Sequence, residues 1–524
     1  MVFGNRKTIK IKDYKNAREI ALFVLFEICE NSRKSNTILR ECFDEASANG
    51  AGLSGTDRAF IERLVIGSLD RLITLDEILS RFLAKPMKSQ KPLIKAILRL
   101  GLYQIMYMDR VPDSAAVNES VKLTKLHGME GMSGLVNGVL RSIIREKEAG
   151  GAKLDTAKDV STHYSLPKWM CRLLSDEYGK ETSERIFKAY LAERRETIRL
   201  NLSRVLLDGV IIDFRDNKKV DTESESARHI DDKTKNGRNA DAESADSALK
   251  DSCFDAASCD TDEASRQAEL YVVESLMEEG FHLEPVDMEA MLNSELSVYK
   301  DKPAAALPVM YEVSGGGDIS RTEAFAKGYI TVQDPASALV ASFAAVKEGD
   351  FCIDVCAAPG GKSLAIAELC RDKCRIEARD VSPQKVSLIS ENVSRCRYEN
   401  ISLRVLDALK DDEDSLYRAG VLIADLPCSG LGVIAKKPDI KLNLESYAVE
   451  ELQTLQRDIL SNVSRFVKPK GRLVYSTCTL SREENEDNTA FIESELGFKK
   501  TAEFKLLPGE HNDGFYIAVL QKRY

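Results

Sequence analysis

From about residue 328 onward, short apolar runs alternate with longer amphipathic stretches, and this alternation limits what the chain can fold into more than any other feature. Residues 351–357 form an apolar run that ends in a glycine-containing turn, and 362–371 read as the helix after it. Further strands are expected at 375–381, 401–406, 421–425 and 472–477, with helices at 384–396 and 444–467. Such alternation buries its apolar surface when the strands pair in parallel and helices cover both faces, which gives a doubly wound, Rossmann-like α/β sheet. Ligands in these sheets bind at the carboxyl ends of the strands. Asp380, Asp407, Asp425 and Cys478 all fall at such ends.

The front of the chain has a different period. Ala17, Ile20, Ala21, Val24, Leu25 and Ile28 recur at helical spacing, as do Phe60, Ile61, Leu64, Val65 and Leu69, and then Leu93, Ile94, Ile97, Leu98 and Leu102. Gly52, Gly55, Pro86, Pro92 and Pro112 punctuate these stretches. Residues 14–148 therefore read as an all-α domain without strands. Residues 160–335 read as a small α/β linking domain, with helices near 168–178 and 181–193 and a strand over 197–205. Within it, residues 221–266 are rich in Asp, Glu, Ser and Ala and poor in large apolar residues. Such a tract cannot offset its ordering entropy, so disorder is expected there, with a helix resuming at 267–279. Residues 336–524 complete the chain as the α/β domain.

With 524 residues, more than one hydrophobic core is expected. No run of eighteen or more apolar residues occurs, so no membrane span is expected. Residues 1–15 are polar and basic without an apolar leader, so a cytoplasmic location is expected. The formal charge of -10 argues at first against a nucleic-acid partner. Its distribution changes that reading. Residues 221–266 hold 13 acidic and 6 basic residues, a net of -7, whereas residues 1–150 hold 24 basic and 18 acidic residues, a net of +6. A basic front end can meet phosphate, although a surface of ordinary charge is the plainer explanation. The twelve cysteines include no C-x-x-C pair, so neither zinc nor a disulfide framework is expected, and most should be small, reduced core residues.

The turn Cys356-Ala-Ala-Pro-Gly-Gly-Lys-Ser363 joins the first strand to its helix. Small residues let backbone approach a ligand, and a helix N-terminus favours a carboxylate. A phosphate loop would need glycine where Cys356 stands. Asp380, about 20 residues further on, suits ribose hydroxyls. Asp407 can reach an adenine amino group, although either acid alone could simply cap a helix. Together with the turn they describe a nucleoside-cofactor site. Two cysteine motifs, Asp425-Leu-Pro-Cys-Ser-Gly430 and Tyr475-Ser-Thr-Cys-Thr479, end neighbouring strands. A thiolate added to C6 of cytosine makes C5 nucleophilic enough to accept a methyl group from a sulfonium. Either Cys428 or Cys478 could be that thiolate.

These motifs resemble the Sun/Fmu (RsmB-type) ribosomal RNA cytosine-C5 methyltransferases. Asp354-Val-Cys-Ala-Ala-Pro-Gly-Gly-Lys362, the Asp425 motif, Ser476-Thr-Cys478 and Gln333-Asp-Pro-Ala-Ser337 carry the likeness in the second half. In the first half, Arg58–Arg71, Ile97-Leu-Arg-Leu-Gly-Leu-Tyr-Gln104, Val111-Pro112, Ala115-Ala-Val-Asn-Glu119 and Leu135-Val-Asn-Gly-Val-Leu-Arg141 resemble a NusB-like RNA-binding domain. The resemblance implies transfer from S-adenosyl-L-methionine to C5 of a cytosine in 16S rRNA, with cytosine 967 the usual family target. It implies a cofactor site formed by Cys356, Ala357, Ala358, Pro359, Gly360, Gly361, Lys362, Asp380, Asp407 and Asp425. It assigns Cys478 as nucleophile, Cys428 to product release and Asp425 to the catalytic centre, with no metal. The tract 221–266 and Leu426, where many relatives carry a small residue, depart from the pattern. Rival readings are a methyltransferase for tRNA or 23S rRNA, a non-catalytic NusB-like antitermination factor, and a DNA cytosine methyltransferase. The helical front end disfavours the first and last, and intact cysteines beside Asp425 disfavour a pure binder.

Overall fold

The computed structural model describes residues 9–192, 195–209, 211–213, 218–220, 261–294, 297–299, 306–509 and 512–524. The front end consists of α1 (Ala17–Asn31), α2 (Ser35–Ala48), α3 (Gly55–Asp70), α4 (Leu72–Ser80), α5 (Pro92–Tyr107), α6 (Asp113–Leu126) and α7 (Ser133–Glu148), joined by short turns. Ile20, Val24, Leu25, Ile28, Leu64, Val65, Ile94, Ile97 and Leu98 bury in one core, as their helical spacing requires. Ser54 and Asp57 close a capping box at the start of α3. Pro92 opens α5, where a missing N–H costs nothing.

Next come α8 (Val160–His163) and α9 (Lys168–Ala189), the latter interrupted at Gly179, whose φ of 73° breaks it where the sequence had suggested two helices. Leu166, Met170, Leu174, Ile186 and Phe187 pack against Leu431, Ile434 and Leu480 of the α/β domain. These helices thus serve the far domain, not a linking core of their own.

The linking region continues as β1 (Glu196–Leu200), α10 (Leu202–Leu207), β2 (Ile211–Asp213), β3 (Lys218–Val220), α11 (Thr261–Glu278), β4 (Phe281–Pro285), α12 (Met288–Leu292), β5 (Ser297–Tyr299), β6 (Met310–Gly315), α13 (Glu323–Ala326) and β7 (Ile330–Val332). Four strands form an antiparallel sheet in the order β4-β6-β1-β7. Two expectations are corrected here. The strand expected over 197–205 stops at Leu200, because its partner β7 pairs only with Ile198 to Leu200, and 202–207 turn helical. The tract expected to be disordered ends earlier than residue 266. Ala264, Ala268, Val272 and Leu276 step by four along one face, so α11 already begins at Thr261. Residues 221–260, on which the rest of that expectation falls, lie outside the described residues.

The remaining elements are α14 (Pro335–Ala344), β8 (Phe351–Asp354), α15 (Gly361–Leu369), β9 (Arg375–Asp380), α16 (Pro383–Cys396), β10 (Ile401–Val405), β11 (Ala419–Asp425), α17 (Ile440–Asn443), α18 (Ala448–Val463), β12 (Val467–Thr477), α19 (Glu486–Glu495), β13 (Phe498–Leu506) and β14 (Phe515–Lys522). The sheet runs β10-β9-β8-β11-β12-β14-β13-β5. Its first five strands are parallel, as the alternation predicted, and β14 and β13 add an antiparallel hairpin. β5, from the linking region, pairs with β13 at the far edge. Two apolar cores lie on the sheet's two faces, one with Ala338, Leu364 and Ile389, the other with Leu460, Val463 and Ile492. The helix expected over 444–467 is confined to α18, and β12 starts at Val467, five residues before the strand expected at 472–477. Cys370 and Cys374 form a disulfide although no disulfide framework was expected and most cysteines were expected to be reduced core residues; their side chains meet because both flank the tight turn between α15 and β9. Among the described residues, no helix is long and apolar enough to cross a membrane.

Candidate active site

The carboxyl ends of β8, β9, β11 and β12 bring the sequence motifs to one edge of the sheet. After β8, the chain passes through Cys356 to Gly360, which adopts a φ of 106°, and enters α15 at Gly361. A side chain at Gly360 would be strained by that backbone and would meet Ile389 at 3.2 Å. Ala357 N–H donates to the Arg379 carbonyl at 2.8 Å, laying the turn across β9. Ala358 is half-buried and Pro359 exposed at the rim. Burial pushes the Cys356 thiol up to about 12, so it is no candidate nucleophile.

Asp380, the last residue of β9, accepts N–H bonds from Ala358 at 3.1 Å and Val381 at 2.8 Å, and pairs with Lys385 at 3.0 Å. It therefore ties the glycine turn to the second strand. Asp407 lies two residues beyond β10 and accepts the N–H of Leu409 at 3.0 Å, which is the local cap that a lone acid allowed. Asp354, at the end of β8, accepts from Ser363 at 2.7 Å through one oxygen, and its other oxygen is buried without a hydrogen bond. Burial raises its carboxyl to about 7. Gln333 stands beside Gly361, and both polar atoms of its buried amide lack partners.

Asp425 ends β11. Lys362 Nζ donates to its Oδ2 at 2.6 Å and Ser476 Oγ to its Oδ1 at 2.8 Å. Lys362, expected to line the cofactor turn, thus reaches across the sheet to Asp425 while remaining half-buried. The two cysteines meet because β11 and β12 are parallel neighbours in register, Asp425 opposite Ser476. Three residues past each of these positions or fewer, Cys428 Sγ and Cys478 Sγ lie 3.2 Å apart, both half-buried. The pair is polarised. The hydrogen bond from Cys428 holds the Cys478 thiol below its usual range against the effects of burial and Asp425, with Lys437 and Lys362 assisting. That same bond, then burial and the charges of Glu484 and Asp425, push Cys428 well up. Gly432 donates its N–H to the Cys478 carbonyl at 2.9 Å, and a side chain there would fall 2.2 Å from the Gly514 carbonyl. Only glycine fits that approach.

The sequence reading missed Glu484, which is fully buried and bonded to Ser429 beside Cys428. It sits in the acidic run Glu483-Glu-Asn-Glu486, whose composition looks like solvated surface and carries no signal of burial.

Residues 341–521 match the family model described as 16S rRNA methyltransferase RsmB/F, and residues 15–145 match the NusB family. A Bacillus subtilis protein described as a probable ribosomal RNA small subunit methyltransferase B is 30% identical over 97% of this chain and 99% of its own length. The chain belongs to the RsmB/F family of 16S rRNA methyltransferases. A Shewanella oneidensis ribosomal RNA small subunit methyltransferase B is 26% identical, over 97% of this chain and 99% of its own. The solved structure of PH0851 shares the fold, with a TM-score of 0.68 at 21% identity over 98% of this chain and 100% of that one.

RsmB/F enzymes depend on S-adenosylmethionine. The residues at the strand ends fit that cofactor. A close-running glycine turn, unpaired buried polar atoms on Gln333 and Asp354, and the Asp380 carboxylate offer a nucleoside the small-residue approach and the acceptors it needs.

Proposed function

We propose that this RsmB/F methyltransferase methylates C5 of a cytosine in 16S rRNA, cytosine 967 by family likeness, through a covalent bond between Cys478 and C6. The meeting of the two thiols carries this reading: two sulfurs 3.2 Å apart at the ends of adjacent parallel strands, beside Asp425 and the Lys362 ammonium bonded to it. The cofactor supplies an electrophilic methyl group. The Cys478 thiolate adds to C6, and the C5–C6 π electrons move so that C5 becomes nucleophilic. Residues 356–362 and Asp380 would hold the cofactor so that its methyl group, once supplied, would pass to C5 with the sulfur leaving as a neutral thioether. The C5 proton passes by way of Cys428 to solvent, the C5–C6 double bond reforms, and the Cys478 thiolate leaves. Asp425 accepts from the cytosine N4 amino group, with Lys362 beside it to offset charge developing on the ring. Asp380, Asp407 and residues 356–362 hold the cofactor.

The same proposal divides the chain into a helical RNA-binding domain (14–148), a linking region (160–335) and a catalytic domain (336–524), acting in the cytoplasm on RNA and not on DNA. Cys478→Ala should abolish methylation and form no covalent RNA adduct. Cys428→Ala should attack and methylate but release slowly, leaving an adduct that survives denaturing electrophoresis. An adduct that accumulates in Cys478→Ala and vanishes in Cys428→Ala would reverse the two roles.

A further inference from the structure

One buried carboxylate joins the loops that carry the two cysteines. Glu484 lies six residues after Cys478 and has no exposed surface. Its Oε1 accepts the Ser429 N–H at 2.9 Å and the Gln456 amide at 3.0 Å, and its Oε2 accepts the Ser429 hydroxyl. Ser429 Oγ also lies 2.6 Å from Thr479 Oγ1, so the hydroxyl that donates to Glu484 accepts in turn from Thr479. The residue after Cys428 and the residue after Cys478 therefore share one anchor. Gln456 adds a bond to the Pro427 carbonyl at 2.8 Å, on the other side of Cys428, and Asn488 fixes Gln456 from behind at 2.7 Å.

A fully buried carboxylate is costly to desolvate, and well-packed apolar residues often fill such a place at no loss of stability. Here its acceptors go to the backbone and hydroxyl groups flanking the thiols. That arrangement sets the separation and aim of the two sulfurs, quantities to which a proton transfer is sensitive at the scale of about 1 Å.

We propose that Glu484 is a positioning residue for the release step: by holding Ser429 and Thr479 together it keeps Cys428 against Cys478. This rests on the assignment of Cys428 to release. Its effect passes through Cys428, so removing it should reproduce the Cys428→Ala behaviour and not that of Cys478→Ala.

Single-turnover reactions with 16S rRNA and S-adenosylmethionine test this, following adduct formation, methyl incorporation and adduct release separately. In Glu484→Ala, at a pH on the plateau of adduct formation, release should slow by about tenfold or more while adduct formation slows by less than about threefold, and cofactor affinity by calorimetry should not change. Glu484→Gln keeps an oxygen that can accept the Ser429 N–H and should restore part of the release rate. Ser429→Ala, a milder change, should slow release without loss of fold and carries the test if Glu484→Ala does not fold. An adduct that persists in Cys428→Ala but not in the Glu484 and Ser429 variants overturns the positioning role alone. Attack and release slowed in equal proportion also overturn it, since that is the signature of a general structural defect. If Cys428→Ala itself accumulates no adduct, the assignment of Cys428 fails, and this inference with it.

Discussion

The hydroxyl of Ser35 donates to Oδ1 of Asp439 at 2.6 Å, joining the first residue of α2 to the residue ahead of α17 across 404 positions of sequence. Beside it, Lys441 donates to the Asp70 carbonyl at 2.9 Å, and Leu442 packs against the core of the helical domain. The same stretch lies against the cysteine loop: a side chain at Gly430, two residues after Cys428, would come within 2.8 Å of Ile440. The NusB-like domain thus seats the segment that follows the first cysteine, as well as presenting its own surface.

Ser35→Ala would leave the buried Asp439 oxygen without its donor. Losing such a bond to a buried charged group costs roughly 1–3 kcal/mol. Urea denaturation should show a loss of that order, and single-turnover release should slow with it. Unchanged stability would mean that water replaces the hydroxyl.

Burial lowers Lys441 to about 8 from its ordinary 10.5. The folded chain binds this proton less tightly than the unfolded chain does. Between pH 8 and 10.5 the unfolded state carries the extra proton, so this group's contribution to stability rises with pH across that window. Below pH 8 the cost of burying the charge is present in full. Lys441→Met should remove this rise from the stability–pH profile. A profile unchanged by the substitution would show that the ammonium is hydrated.

The Cys478 thiol is held below its usual range first by the hydrogen bond from Cys428, with Lys437 adding to it. Attack requires the thiolate, so a lower value moves the plateau of adduct formation to lower pH. Cys428→Ala should shift the rise in adduct formation toward higher pH, and Lys437→Ala should shift it the same way by less. Rapid-quench measurements across pH check both, and a shift toward lower pH in either variant would contradict the polarity assigned to the pair.

Asp380→Ala should weaken S-adenosylmethionine binding more than it slows methyl transfer. The change removes a proposed ribose acceptor and frees the Ala358 N–H that Asp380 holds at 3.1 Å. Loss of charge-assisted bonds corresponds to roughly 1.5–3 kcal/mol, about 10- to 150-fold in affinity. Calorimetry measures it directly. Equal affinity would make Asp380 a structural cap only.

Residues 221–260 should be dispensable for methyl transfer, since they are rich in Asp, Glu, Ser and Ala and hold few large apolar residues. Replacing them with a short Gly/Ser link leaves α11, from Thr261, intact. Activity within about threefold of the full chain is expected; a drop of about a hundredfold would show that the acidic tract takes part in function.

Much of this was legible from spacing. Apolar residues four apart in 14–148 had to form helices with one buried stripe, and the alternation after residue 350 had to give a parallel sheet. Asp380 and Asp425 were readable as strand ends for the same reason. The strand expected over 197–205 ended early because strand length depends on how far a partner runs, and β7 is only three residues long.

The sequence alone determined which residue types stand at the strand ends: the Cys356–Lys362 turn, Asp380, Asp425, Cys428 and Cys478. These follow from local patterns of period two and 3.6 and from turn chemistry, which act between near neighbours. Only the tertiary structure decided what those residues do to one another. The separation of the two sulfurs depends on β11 and β12 being adjacent and in register, and the polarity of the pair depends first on the hydrogen bond between them and then on burial and the charges of Asp425, Lys437, Lys362 and Glu484. Glu484 reads as surface in sequence because burial belongs to the packed chain, where α18, α19 and both cysteine loops close over it. A thiol's reactivity is set by the field of groups within a few ångströms, and here folding brings those groups together from four separate stretches of chain.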